Sequence, residues 1–136
     1  MGAWGIKNFE NDDALDWVYD LVRQSNKNFI INALNNVIRS DDYIEAPESC
    51  DALCAIEIIA CVKNNRFTDL PEGVESWLKK KRGVLRKVIE FNEKDINLAK
   101  TALKKIITES ELKELWEESE DYQEWLSYLG RINNEL

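Results

Sequence analysis

Apolar residues recur along most of the chain with the three- and four-residue spacing of an amphipathic helix. The stripe from Phe29 to Ile38 has two columns, at i, i+1, i+4, i+5, i+8 and i+9, and similar stripes cross residues 13–24 and 93–107. We find no convincing alternation of apolar and polar residues of the kind that marks a half-buried strand. The pattern predicts a single all-α domain over residues 1–136, with about six to eight helices.

One stretch is apolar nearly all the way round. Within residues 52–62 the only charged side chain is that of Glu57. A helix without a polar face is usually the one that its neighbours surround. Asn64 and Asn65 provide a stop after it. We therefore predict a central helix near residues 49–63, around which the other helices pack.

Capping and breaking residues mark the predicted helix starts. The apolar face of a helix that begins near Pro71 continues through residues 84–89, and Gly83 marks a break or a bend within it. Elsewhere, side-chain oxygens accept hydrogen bonds from the exposed N–H groups of a first turn. The predicted starts are Asp12 or Asp13, Pro71, Ser110 and Ser119.

The opening segment is rich in large apolar and turn-forming residues, which predicts an ordered N-terminal loop pinned onto the core. Trp4 and Phe9 supply apolar area that anchors the segment. Gly5 permits a positive φ or a close approach of the backbone to another element. The side chains of Asn11 and Asp12 bond to nearby backbone N–H groups and set the start of the first helix. A ligand-binding loop is the alternative interpretation.

Glu57 is predicted to hold this loop. A carboxylate inside an apolar helix must be paired, hydrogen-bonded or protonated, because bare burial of a charge is costly. Helical spacing places Glu57 on the same face as Cys50, Cys54 and Cys61, whose small side chains leave a shallow groove. We expect the loop to lie in that groove, where its N–H groups or a tryptophan indole donate to Glu57. A proton-transferring carboxyl group of raised pKa is the alternative.

Composition restricts the chemistry. Histidine is absent from the 136 residues, which removes an imidazole base, a Ser–His or Cys–His nucleophile and a histidine-containing zinc site. The three cysteines fall within residues 50–61 and are an odd number, so we expect free thiols in a reducing cytoplasm. No run of about 18 apolar residues and no secretory signal is found. We expect no metal and no cofactor.

The net charge of −8 favours a basic protein as partner over nucleic acid or a membrane, although charge of this size also serves solubility alone. Residues 109–124 hold eight acids and one base, whereas residues 79–87 hold six bases and no acid. Either the two stretches pack side by side, or the acidic one docks a cationic partner. The predicted partner-binding residues are Glu111, Glu114, Glu117, Glu118, Glu120, Asp121 and Glu124.

MGAWG, followed by FENDDALDWVYDL, resembles the start of a family of small bacterial proteins that is catalogued as a domain of unknown function. Its members open with Met-Gly-Thr/Ala-Trp-Gly and continue with Phe-Asp/Glu-Asn-Asp. The resemblance extends over the whole chain, is weaker in residues 63–92, and implies no catalytic residues. Further matching positions are Tyr43, Glu45, Ala46, Pro47, Ala52, Leu53, Ala55, Glu57, Ser110, Glu111, Leu112, Leu115, Trp116 and Trp125.

Three functions fit these observations. The first is an acidic cytoplasmic binding protein, most concretely an immunity protein of a toxin–antitoxin pair that covers the basic active site of a nuclease-type toxin. The second is a magnesium-dependent, carboxylate-only all-α hydrolase of nucleotides or phosphates, which needs four convergent carboxylates from two helices. The third is an adaptor without chemistry. We expect a protein that is not an enzyme.

The hydrolase would use an ExxE pair and an ExxD pair of carboxylates, and Glu111–Glu114 and Glu118–Asp121 match these patterns. The two pairs are too close in sequence to face each other across two helices. Carboxylates also repeat every four residues near the start of the chain. A magnesium site formed by this row would need further carboxylates from a second helix, for which residues 117–121 are the candidates. A solvated acidic face is the simpler interpretation of this row. Its members are Asp12, Asp16 and Asp20.

Overall fold

The computed structural model describes residues 3–79, 81–82, 85–86 and 88–136, and its helices follow the predicted apolar stripes. Across these residues one hydrophobic core gathers side chains from every helix, so the prediction of a single all-α domain is confirmed. The helices are α1 (Asp12–Leu21), α2 (Asn28–Ile38), α3 (Ala46–Lys63), α4 (Glu72–Leu78), α5 (Glu93–Glu109), α6 (Glu111–Glu117) and α7 (Tyr122–Glu135).

Helix α3 lies at the centre of the fold, as predicted. Every residue from 52 to 61 is buried, and α1, α2, α5, α6 and α7 pack around it. Its fully buried isoleucines each contribute about 1.5–3 kcal/mol of transfer free energy, which explains why an all-round apolar helix takes this position. Although α3 is the most buried helix, neither it nor any other helix of the described residues could span a bilayer.

The residue that caps the first helix differs from the predicted one. Asn11 has an extended backbone, and its Oδ1 accepts a hydrogen bond from the N–H of Ala14 at 2.8 Å. Asn11 is therefore the N-cap, and the expectation that Asp12 or Asp13 caps the helix is wrong. Both aspartates lie exposed in the first turn, where their charge complements the helix dipole.

The two predicted serine caps have different outcomes. Ser110 Oγ accepts from the N–H of Lys113 at 3.0 Å, so Ser110 caps α6 as predicted. Ser119 does not cap the last helix, because α7 begins only at Tyr122. Ser119 Oγ instead donates to the carbonyl of Trp116 at 2.9 Å, which satisfies the end of α6.

The basic stretch is not helical where the structure describes it. After α4, which follows Pro71 as predicted, β1 (Lys81–Arg82) pairs in antiparallel fashion with β2 (Leu85–Arg86). The N–H of Ile89 then donates to the carbonyl of Leu78 at 3.0 Å and brings the chain back to α4. The prediction of a helical face through residues 84–89 is wrong over β2 and at residues 88–89, which are not helical. The predicted break at Gly83 lies outside the described residues.

Candidate functional site

Residues 3–11, here called the opening loop, fold back on themselves. Ala3 and Asn11 form an isolated antiparallel bridge. Inside it, the N–H of Trp4 donates to the carbonyl of Glu10, and the N–H of Glu10 donates to the carbonyl of Lys7, both at 3.0 Å. The loop therefore satisfies much of its own backbone, and the predicted ordered N-terminal loop is confirmed.

The residues that were predicted to pin this loop onto the core divide into two groups. Phe9 packs partly buried against the core. Gly5 has no left-handed φ, and the atoms nearest to a Cβ placed on it belong to the flexible side chain of Glu10 in the same loop, so the predicted close approach to another element is not found. Trp4 is 57% exposed. The expectation that Trp4 anchors the loop is wrong, because backbone hydrogen bonds close the loop instead. Asp12 is exposed as well.

Glu57 is 3% exposed and connects the opening loop to two helices. Its Oε1 accepts a hydrogen bond from Asn8 Nδ2 at 2.9 Å and another from the hydroxyl of Tyr128, on α7, at 2.6 Å. The donor from the loop is thus a buried side-chain amide, neither a backbone N–H nor an indole. Neither donor stands out in the sequence, because one asparagine in a polar segment and one tyrosine in an amphipathic helix carry no distinguishing signal.

The cysteines lie on the predicted face of α3 and are all buried and free. The carbonyl of Asn8 lies 3.5 Å from Cys54 Sγ, and a small cavity of about 80 Å³ separates the loop from Cys50. Burial raises the pKa of the Cys50 thiol, and likewise that of Cys61, to about 12. Thiols of this kind are unreactive packing groups.

Burial raises the pKa of Glu57, and the hydrogen bonds from Tyr128 and Asn8 and the charges of Arg66 and Arg131 oppose the rise only in part. Burial also raises the pKa of the Tyr128 hydroxyl, and the neighbouring carboxylate adds to this effect. The hydroxyl thus remains protonated and donates to Glu57.

An open cleft of about 810 Å³ lies beside Glu57 and Tyr128. The hydrogen bonds from Asn8 and Tyr128 both reach Oε1 of Glu57, and Glu57 itself lines the cleft. A carboxyl group of raised pKa in this position is able to exchange a proton, and proton transfer stays an untested alternative. The remaining charges of the lining balance, with three cations and three carboxylates. They are Lys7, Arg66, Arg131, Glu10, Asp69 and Glu135.

The end of α3 places Arg66 in this cleft. Asn65 adopts a left-handed φ of 55°, its N–H donates to Val62, and the N–H of Arg66 donates to the carbonyl of Cys61 at 2.8 Å. This is the Schellman arrangement, which turns the chain sharply at a helix end. The Arg66 guanidinium then pairs with Asp69 and Glu135.

Three of the seven predicted partner-binding residues have partners within the protein. Glu111 Oε1 accepts from the N–H of Ala46 at 2.8 Å and so caps α3. Glu114 accepts from the hydroxyl of Tyr43, and Glu117 pairs with Lys113. The other four are exposed, and their carboxylates form no hydrogen bond or ion pair with residues that the structure describes. They are Glu118, Glu120, Asp121 and Glu124, here called the α6–α7 carboxylates.

The exposed side of α1 combines acidic and large apolar side chains. Leu15 is 48% and Tyr19 65% exposed, one helical turn apart. The row of Asp12, Asp16 and Asp20 runs beside them, and all three are exposed. We call these five residues the α1 face. The row was predicted to be a solvated face. The exposed apolar pair was not predicted, although the i, i+4 spacing of Leu15 and Tyr19 is visible in the sequence.

Two aspartates of the row, Asp16 and Asp20, lie close enough to Asp51 of α3 for their charges to act on it. Burial first, and then the charges of Asp13, Glu48, Asp20 and Asp16, raise the pKa of Asp51 from 3.8 to about 7. Within the described ranges, no three cysteine, aspartate or glutamate side chains are arranged to hold a metal ion. The group is a concentration of like charge.

These features define an all-α domain with a closed opening loop and an acidic surface. The family model described as "Domain of unknown function (DUF4259)" matches residues 2–128, so the chain belongs to this family. No curated protein and no solved structure matches the chain.

Proposed function

We propose that this protein is an acidic cytoplasmic binding protein that docks onto a basic protein partner. The observation that carries the proposal is the set of carboxylates without cationic partners. Four lie at the α6–α7 end. Four more surround Asp51 at the junction of α1 and α3, where burial and then their charges raise its pKa; they are Asp13, Glu48, Asp20 and Asp16. Like charges held together destabilise the folded protein, and a cationic partner would relieve the repulsion.

The most specific form of the proposal is an immunity protein of a toxin–antitoxin pair. A nuclease-type toxin presents a basic active site because it grips phosphates, and an acidic surface is able to cover it. Such a role needs complementarity and no catalytic group. The three free, buried cysteines are consistent with a reducing cytoplasm.

The magnesium-dependent hydrolase receives less support from the geometry. Of the four carboxylates that would form its ExxE and ExxD pairs, Glu111 caps α3 and Glu114 accepts a hydrogen bond from Tyr43. Both are therefore engaged in holding α6 against the segment that leads into α3.

Binding to a cognate toxin domain tests the proposal. The probe is the C-terminal domain of a secreted protein encoded immediately upstream, purified in inactive form and titrated calorimetrically into this protein. We expect a complex at micromolar concentration or below, whose affinity falls as salt is raised from about 0.05 to 0.5 M because screening weakens charge pairing. No complex at low salt, an affinity insensitive to salt, or no such upstream gene would remove the immunity function.

A further inference from the structure

Helix α1 leaves an apolar pair in solvent while burying its opposite side. Ala14, Trp17 and Leu21 are in the core, whereas Leu15 and Tyr19 project outward. Exposed apolar side chains are common singly, but two on adjacent turns of one helix form a continuous ridge. Tyrosine is also among the residue types that dominate interface energies.

The charges around this ridge are almost all negative. Asp12, Asp16 and Asp20 follow it along the helix, and the acids of α3 continue the same charge toward Asp51. A cation also lies close to the ridge: Arg23 follows α1 by two residues, and its guanidinium lies 5.4 Å from the centre of the Tyr19 ring. An apolar centre with a charged rim is the usual composition of a specific protein interface.

Charge complementarity selects the occupant of this surface. A symmetric contact with a second copy of the chain would place one aspartate row against another, and an anionic membrane surface would be repelled in the same way. A basic protein with an apolar pocket rimmed by lysine or arginine would bury the apolar ridge in its pocket and pair its cations with the aspartate row.

We propose that the α1 face is the docking surface for the basic partner, with Tyr19 and Leu15 inserted into an apolar pocket and the aspartates paired with its cationic rim. The inference rests on the proposed function and assigns its contact surface. The described residues place the exposed Tyr43 near Glu118 but no ridge of two apolar side chains. The α6–α7 carboxylates then speed association through long-range attraction and make few direct contacts.

Matched substitutions test this assignment against the toxin domain. Tyr19→Ala is expected to weaken binding by about 30-fold or more, chiefly through faster dissociation, and Asp16→Lys by about tenfold or more. The controls are Tyr43→Ala, which removes another exposed tyrosine, and Glu118→Lys, which reverses an α6–α7 charge. We expect Tyr43→Ala to change the affinity less than about threefold, and Glu118→Lys to slow association while leaving the dissociation rate unchanged. Urea unfolding of every variant verifies that it is folded.

The outcomes separate two failures. If the wild-type protein binds, and only the Tyr43 and Glu118 variants lose affinity, the α1 face is the wrong surface while the proposed function stands. If the wild-type protein does not bind at all, both the function and the surface fall. A dimer of the free protein that Tyr19→Ala dissociates, seen by light scattering, would assign the face to self-association and overturn the inference.

Discussion

Glu57→Ala removes an acceptor that the opening loop and α7 share. Asn8 Nδ2 and the Tyr128 hydroxyl, which donate to it at 2.9 and 2.6 Å, would both lose their partner in a buried setting. An unsatisfied buried donor costs about 1–3 kcal/mol. Because the cleft admits water beside Glu57, we take the lower part of the range for each donor. The two together amount to about 2–4 kcal/mol.

Glu57→Gln is the matched reference, since glutamine keeps an acceptor oxygen at the Oε1 position and removes the ionisable group. We expect Glu57→Ala to unfold with about 2–4 kcal/mol less free energy than Glu57→Gln at the same pH. For a chain of this length the difference lowers the melting temperature by about 7–14 °C. Urea denaturation followed by tryptophan fluorescence measures the free energies, and hydrogen exchange of the Trp4 and Glu10 amides reports on the loop.

Glu120→Ala serves as the control, because Glu120 is exposed and makes no hydrogen bond or ion pair with the described residues. Its effect should stay within about 0.5 kcal/mol. Equal unfolding free energies for Glu57→Ala and Glu57→Gln, with unchanged exchange at Trp4 and Glu10, would refute the role of Glu57 in holding the opening loop.

Two further predictions concern pH. Because the pKa of Glu57 is raised in the folded protein, the contribution of this carboxyl group to stability is fully present below its ordinary pKa of 4.5 and is lost as pH rises through the folded-state pKa. The free energy of unfolding of Glu57→Gln should therefore increase relative to that of the wild-type protein as pH rises. Asp51, raised from 3.8 to about 7, follows the same sign. Asp51→Asn should therefore gain stability over the wild-type protein between pH 4 and pH 7 and hold a constant advantage above that. Urea unfolding across this pH range measures both differences, and a difference independent of pH would contradict the corresponding shift.

The local sequence pattern was sufficient to predict the helices, because an amphipathic helix places apolar residues three and four positions apart on one face. The all-round apolar stretch gave α3 its central position, and the isolated charge within it identified Glu57 as a buried group. The same reasoning failed where neighbouring residues compete for one role. Asn11 rather than Asp12 became the N-cap, since only Asn11 has the extended backbone that directs its side chain to the first-turn N–H groups.

The acidic residues show a second limit of local reading. The dense acidic stretch is evident in the sequence. The sequence does not indicate that Glu111 caps a helix whose first residue is 65 positions away, or that Glu114 accepts a hydrogen bond from Tyr43. Charge density follows from composition, whereas the free or engaged state of each carboxylate depends on which backbone the fold brings beside it.

The sequence by itself determined the helical class, the central α3 and the need to compensate a buried Glu57, because periodicity and the cost of burying charge act locally. Only the tertiary structure decided that Asn8 and Tyr128, 49 and 71 residues from Glu57, supply the compensation, that Trp4 stays in solvent, and that the aspartates of α1 lie near Asp51. The physical reason is that these contacts depend on how the helices and the opening loop pack against one another, and no short stretch of sequence encodes that geometry.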